Sequence, residues 1–179
     1  MNKSMIIGFI SIIFASVLLS SCDLLDLTPK AAVTVKTYFK NESELELYAN
    51  RFYSDILPGG NGIYKEIGDN MIWIPLASEV SLTRTVPEKG GGWSFEALRH
   101  INFLLENIGN CPDAAAVRKY TGVAKFFRAH YYFNMVKRFG DVPWLDHVPG
   151  TDDPALYKAR DSRDFVMEKV IEDIDEAIR

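Results

Sequence analysis

Two groups of residues have types and spacing that could do chemistry. The first is Leu19-Ser20-Ser21-Cys22. A leucine and two small residues directly ahead of a cysteine put a thiol where a diacylglycerol can be transferred to it, and cleavage then leaves Cys22 as a lipidated N-terminus. The second group lies further on, where Trp73, Arg84 and Trp93 stand near Asn70, Glu79 and Thr83. Indole offers a flat apolar face on which a ligand ring can rest at small entropic cost, and planar polar groups such as Arg and Asn fix that ring's orientation. Trp93 and Arg84 are the first candidates for ligand contact, with Trp73 and Thr83 beside them.

Other chemistries find little support. His100 and His130 fall on different expected helices, without the two-His-plus-Glu spacing of a zinc hydrolase, and His147 sits in a loop. There is no Gly-x-Ser-x-Gly elbow for a nucleophilic serine. With 24 acidic residues, carboxylate pairs arise by accident, so a glycosidase has only generic support. Gly90-Gly91-Gly92 is not followed by Lys-Ser or Lys-Thr, and it reads as a hinge and not a phosphate cradle. With Cys22 lipidated, Cys111 has no disulfide partner and is expected at a loop or helix edge. No metal and no cofactor are expected.

The elements that must position these residues are helical. Lys3 and the apolar run Met5–Leu19 form a leader that is short of the roughly 20 residues of a membrane span. The chain therefore divides into a signal peptide at 1–21, a lipidated Cys and tether at 22–40, and a helical domain at 41–179. An apolar content of 47% is enough to give that domain a core. The net charge of −4, with its basic residues dispersed, argues against a nucleic-acid partner, since no cationic stripe could follow phosphates.

Four helices are expected. Asn41, with Glu44 three residues on, opens the first, whose stripe is Leu45, Tyr48, Phe52 and Ile56 and which stops at Pro58-Gly59-Gly60. The second runs from a Ser94 cap to Asn107, with Asn102 on its mostly apolar face as a buried amide in need of partners. The third spans Asp113 to Gly140 and carries Val117, Tyr120, Ala124, Phe127, Tyr131 and Met135 at helical spacing. Phe126, Phe127, Tyr131 and Phe133 are expected to hold helices together. A polar connection from Asp141 to Lys158 leads to a last helix, capped by Asp161 or Ser162, with Met167, Val170, Ile171, Ile174, Ala177 and Ile178 on one face. Residues 61–92 form a long irregular loop, and loops of that length tend to be functional.

The segment from Gly122 to Trp144 resembles the most recognisable stretch of the SusD/RagB family of lipid-anchored nutrient-binding proteins. Ala124, Lys125, Phe126, Arg128, Ala129, Tyr132, Phe133 and Gly140-Asp141-Val142-Pro143 fit its pattern. Val123 stands where the family usually has Glu, so no ion pair from that position is expected. Trp93 to Asn102 resembles the family's Trp-led helix, and the final helix its Ile-x-x-Asp helix.

The resemblance implies an all-α fold of tetratricopeptide-like helical pairs with a long irregular loop, the N-terminal part of a SusD-like fold. It implies an outer-membrane lipoprotein facing the cell surface, which binds oligosaccharide and passes it to a SusC-like TonB-dependent transporter without being an enzyme. Part of the binding platform would come from the loop before the second helix and the start of that helix. Alternatives are a RagB-like peptide binder and, less favoured, a lipid-anchored glycoside hydrolase or a helical-repeat scaffold. The last helix runs into Arg179 without a stop signal, and the family is much longer, so a fragment that is marginally stable alone is expected.

Overall fold

A computed structural model describes residues 38–59, 74–76, 78, 80–88 and 90–179. Cys22, Asn70, Trp73, Glu79 and nearly all of the tether lie outside the described residues. The four expected helices form: α1 (Glu42–Ile56), α2 (Glu96–Asn107), α3 (Ala114–Phe139) and α4 (Arg163–Ile178). Single 3-10 turns at Ile108–Asn110 and Pro154–Tyr157 complete the set, and among the described residues the β pairing is one isolated bridge, Val142 to Asp161.

Local signals set most of the helix ends. Asn41 Oδ1 accepts the Glu44 N–H at 3.0 Å, and the Glu44 carboxylate reaches back to the Asn41 amide and to the Lys40 N–H at 2.8 Å. Asp113 Oδ1 accepts the N–H groups of Ala115 and Ala116, and Ser162 Oγ that of Phe165. Each cap meets orphan donors of a first turn, worth about 1 kcal/mol. Gly140 ends α3 at φ +72, where its N–H donates to Val136. α2 departs from expectation. It starts at Glu96 with Phe95 at the cap position; Ser94 Oγ reaches the Glu96 N–H only at 3.5 Å, while the Ser94 carbonyl accepts from the Tyr131 hydroxyl at 2.7 Å.

The contacts give the topology. Phe103 meets Tyr48 while His100 approaches Asp55, so α2 runs antiparallel to α1. Lys119 pairs with Glu42, and Phe127 packs on Phe52 with centroids 5.7 Å apart, so α3 runs parallel to α1. Arg128 meets Asp173 and Lys125 meets Glu176, which makes α4 antiparallel to α3. Successive antiparallel helices stacked in this way are tetratricopeptide-like pairs. Gly122 allows a close approach of α3 and α4, since a Cβ there would stand 3.2 Å from the Ala177 carbonyl.

α3 buries residues against both sides of the stack. Its first half closes a cluster with Leu45, Phe52, Ile101 and Leu104, and its second half closes another with Leu98, Val142, Trp144, Leu145 and Val166. Cys111 sits at a helix edge as expected, just after the Ile108–Asn110 turn, and its side chain is buried in the first cluster. Three expectations are corrected by this packing. Phe126 and Phe133 lie on the outer face of α3, 46% and 45% exposed, because Phe127, Tyr131 and Tyr132 already occupy the inward positions. α4 buries Val166, Val170 and Asp173, whereas Ile171 and Ile178 point outward. The connection after Asp141 is not simply polar, since Val142, Trp144 and Leu145 are core residues.

Candidate functional site

The centre of the domain is a buried polar network. Arg128, Asp173 and Asn102 are the buried polar or charged residues among those described. Arg128 donates from Nε to Asp173 Oδ2 at 2.6 Å, from Nη2 to Oδ1 at 2.7 Å, and from Nη1 to Asn102 Oδ1 at 3.3 Å. An unpaired guanidinium here would be strongly destabilising, and the planar fork of Arg matches a carboxylate with two bonds. The ion pair that Val123 does not supply is thus made with α4. The Asn102 amide donates to the carbonyls of Leu145 at 2.9 Å and His147 at 3.0 Å, which ties the post-α3 segment to α2. Asn102 meets the expectation of a buried amide fixing a contact, although that contact is with a loop and an arginine.

Tyr132 holds the same segment from the other side. Its hydroxyl accepts the Leu145 N–H at 2.7 Å and donates to the Pro143 carbonyl at 3.2 Å, and its ring stacks on Trp144 with centroids 4.3 Å apart. Burial pushes the hydroxyl pKa well up, so it stays neutral and serves as donor and acceptor at once. Asp161 accepts the Trp144 N–H at 2.6 Å and pairs with Lys158 at 2.7 Å. Residues 143–147 are therefore fixed by α2, α3 and the approach to α4.

That segment is one wall of a cavity of about 570 Å³. The volume is in the range of small-ligand sites. The facing wall is the start of α2 with Trp93, Phe95, Leu98 and Asn102, and the rim carries Glu96, Arg99, Lys158 and Arg160. Trp93 is the sequence-selected residue that the structure brings to this cavity. The Arg160 guanidinium lies over its ring at 4.6 Å, and Phe95 and Phe139 pack on it edge-on. Thr83 and Arg84 are exposed and do not line the cavity; Thr83 Oγ1 lies 2.7 Å from Ser81 Oγ.

His147, also in the wall, lies between Asp146 at 3.0 Å and Asp153 at 2.8 Å. The Asp146 carboxylate, then that of Asp153, raises the imidazole pKa above its ordinary value. Among the described residues no cluster of His, Cys, Asp and Glu is able to hold a metal, and no helix is long and apolar enough to cross a membrane. A hollow of similar size, about 620 Å³, runs along Tyr53, Gly122, Phe126 and Ala177, but it contains no Trp and none of the selected residues. The sequence missed Arg99, Lys158 and Arg160 as site residues. The only signal for the last two was a pair of cations just ahead of the Ser162 cap.

The fold is similar to that of a SusD-like protein from Bacteroides fragilis known from a crystal structure, with a TM-score of 0.67 and 25% sequence identity. The match covers 79% of this chain. The chain is SusD-like. It spans only 30% of the length of that SusD-like structure. No family model and no curated protein matches it. In this SusD-like domain, the Gly122–Trp144 stretch that carried the resemblance is mainly packing and cap chemistry, with Arg128 and Tyr132 as its polar anchors.

Proposed function

We propose that this protein is a nutrient-binding lipoprotein, anchored through Cys22 at the outer membrane and facing the cell surface. It binds oligosaccharide and delivers it to a SusC-like TonB-dependent transporter, and it is not an enzyme. The fold likeness to a SusD-like protein supports the nutrient-binding role. The observation that carries the ligand assignment is Trp93, an aromatic residue 36% exposed at a cavity walled by Phe95, Leu98, Pro143 and Leu145 and rimmed by side chains able to donate and accept hydrogen bonds. Apolar walls suit the carbon faces of sugar rings, and the rim suits their hydroxyls.

The roles given to Trp73, Thr83 and Arg84 remain part of this proposal as further ligand contacts. Anchoring through Cys22 rests on two or more acyl chains, each methylene adding about 0.8 kcal/mol of membrane affinity. Two experiments test the proposal. Full-length lipidated protein, isolated from detergent-solubilised outer membrane, is expected to bring down a large β-barrel partner, and repeated recovery without one removes the transporter. Binding to a glycan array that Trp93→Ala abolishes supports the ligand class. Binding only to a peptide library transfers the cavity to peptide uptake.

A further inference from the structure

The rim of the Trp93 cavity runs against the composition of the chain. A protein with net charge −4 places Arg99, Lys158 and Arg160 at this mouth against a single carboxylate, Glu96. Lys158 is already neutralised by Asp161 at 2.7 Å. His147 is held between two aspartates and contributes no free cation. Arg99 and Arg160 are different, since neither has a carboxylate within ion-pair distance among the described residues.

Arg160 is also pre-oriented. Its guanidinium carbon lies 4.6 Å from the centre of the Trp93 ring, within cation–π range. A guanidinium has five N–H donors, and the hydrogen bonds among the described residues use none of those of Arg160; they match a planar carboxylate with two parallel bonds. Contact with the indole also restricts the side chain before any ligand arrives, which lowers the ordering cost of binding. The apolar surface behind it, Phe95, Leu98, Pro143 and Leu145, weakens local screening and strengthens an ion pair made at the mouth.

We infer that the cavity takes an acidic sugar, a uronic-acid unit whose carboxylate pairs with Arg160, with Arg99 as the second cation at the rim, and whose ring rests on the apolar wall. This inference rests on the oligosaccharide assignment made above. Trp93 then acts less as a bare platform for a sugar than as the support that aims Arg160. Glu96 is left to accept from ring hydroxyls. A neutral oligosaccharide would leave two rim cations without partners.

The test is calorimetric titration of the full-length protein with galacturonate, glucuronate and mannuronate oligosaccharides, each beside its carboxyl-reduced neutral counterpart. At least one acidic member is expected to bind about tenfold or more tightly than its reduced form, in line with a charge-assisted bidentate contact. Arg160→Gln is expected to bring that ratio towards one, and Arg160→Lys, which keeps the charge and loses the fork, to leave an intermediate ratio. Arg160 is exposed, so these variants are expected to keep the wild-type circular dichroism and melting profile. Equal affinity for acidic and reduced partners overturns the inference and leaves oligosaccharide binding standing. An acid preference that survives Arg160→Gln removes it from this cavity. Failure of both members of every pair to bind also overturns the inference, and the glycan array then decides the oligosaccharide assignment separately.

Discussion

Asp173→Ala is the most informative perturbation of the fold, because it separates the strength of the Arg128 pair from the cost of stranding it. In the native domain Asp173 is 3% exposed and Arg128 7%, and two bonds of 2.6 and 2.7 Å join them. Lys125 Nζ lies 3.6 Å from the same carboxylate but is paired with Glu176, so truncation strands Arg128 and not Lys125. What Arg128 retains is one bond of 3.3 Å to Asn102 and the face of Trp144 at 5.2 Å. Breaking a buried pair by removing one member costs about 3–5 kcal/mol. Two bonds to a charged group at about 1.5–3 kcal/mol each give a similar figure. Against a total stability of about 5–15 kcal/mol, this is a large share. Urea denaturation of the full-length protein, followed by far-ultraviolet circular dichroism, is expected to show the midpoint fall accordingly. The double variant Arg128→Met with Asp173→Leu is expected to be less destabilised than Asp173→Ala, since no charge is left buried and unpaired. A loss below about 1 kcal/mol in the single variant, or a double variant worse than the single, would refute the argument that desolvation dominates here.

Other outcomes follow from the same geometry. Tyr132→Phe removes the acceptor of the Leu145 N–H and is expected to cost about 1–3 kcal/mol in denaturation. Gly122→Val forces the α3 and α4 backbones apart at Ala177 and is expected to destabilise by about 1–3 kcal/mol, whereas an unchanged melt would mean that the helices can slide. The His147 contacts predict pH dependence in residues 145–153. Because the imidazole pKa is raised, its contribution is fully present below its unfolded value near 6.5 and is lost as pH rises through the raised value. Asp146, lowered mainly by its bond to His147, and Asp153, lowered mainly by the Ala155 N–H, contribute above their unfolded values near 3.9 and lose that contribution as pH falls through the lowered ones. Amide exchange of this segment, corrected for intrinsic rate, is therefore expected to be slowest between about pH 4 and 6.5 and to lose that dependence in His147→Gln. A profile that is the same in wild type and variant would count against the clamp.

The sequence announced the helices because their ends are written locally. Asn41 with Glu44, Asp113, Ser162 and Gly140 each act on donors or acceptors within a few residues; Asn41, Ser162 and Gly140 work as expected, Glu44 reaches one residue further, and the capping role of Asp113 was not foreseen. Ser94 misled, since Phe95 takes the cap position there and the Ser94 carbonyl accepts from Tyr131, on another helix. The outward Ile171 and Ile178 misled in a different way. They extend an apolar run, but the buried phase of α4 is Val166, Val170 and Asp173, with a carboxylate where the eye looks for an aliphatic residue. The cavity was the least legible feature. Its walls come from the start of α2, the 143–149 segment and the residues before α4, and no periodicity links Trp93 to Arg160.

Asn102 shows why the packing residues and the cavity are not separable. Its carbonyl oxygen faces a guanidinium and its amide nitrogen faces two carbonyls, so all of its contacts require one acceptor and two donors in fixed positions. Aspartate would set a carboxylate against the carbonyls of Leu145 and His147. Leucine would leave the His147 carbonyl and an Arg128 N–H unmet at the centre of the domain, and the Leu145 carbonyl with only the Tyr132 hydroxyl at 3.4 Å. The residue at 102 is therefore dictated by the charge at 128, which is in turn dictated by Asp173 on α4. Leu145 and His147 are wall residues of the cavity, and His147 holds the loop that leads to Lys158 and Arg160 through Asp153. A change on α4 thus reaches the cavity wall through two side chains, and if the cavity binds ligand as proposed, Asp173→Ala is expected to weaken that binding as well as folding although it lines no part of the cavity.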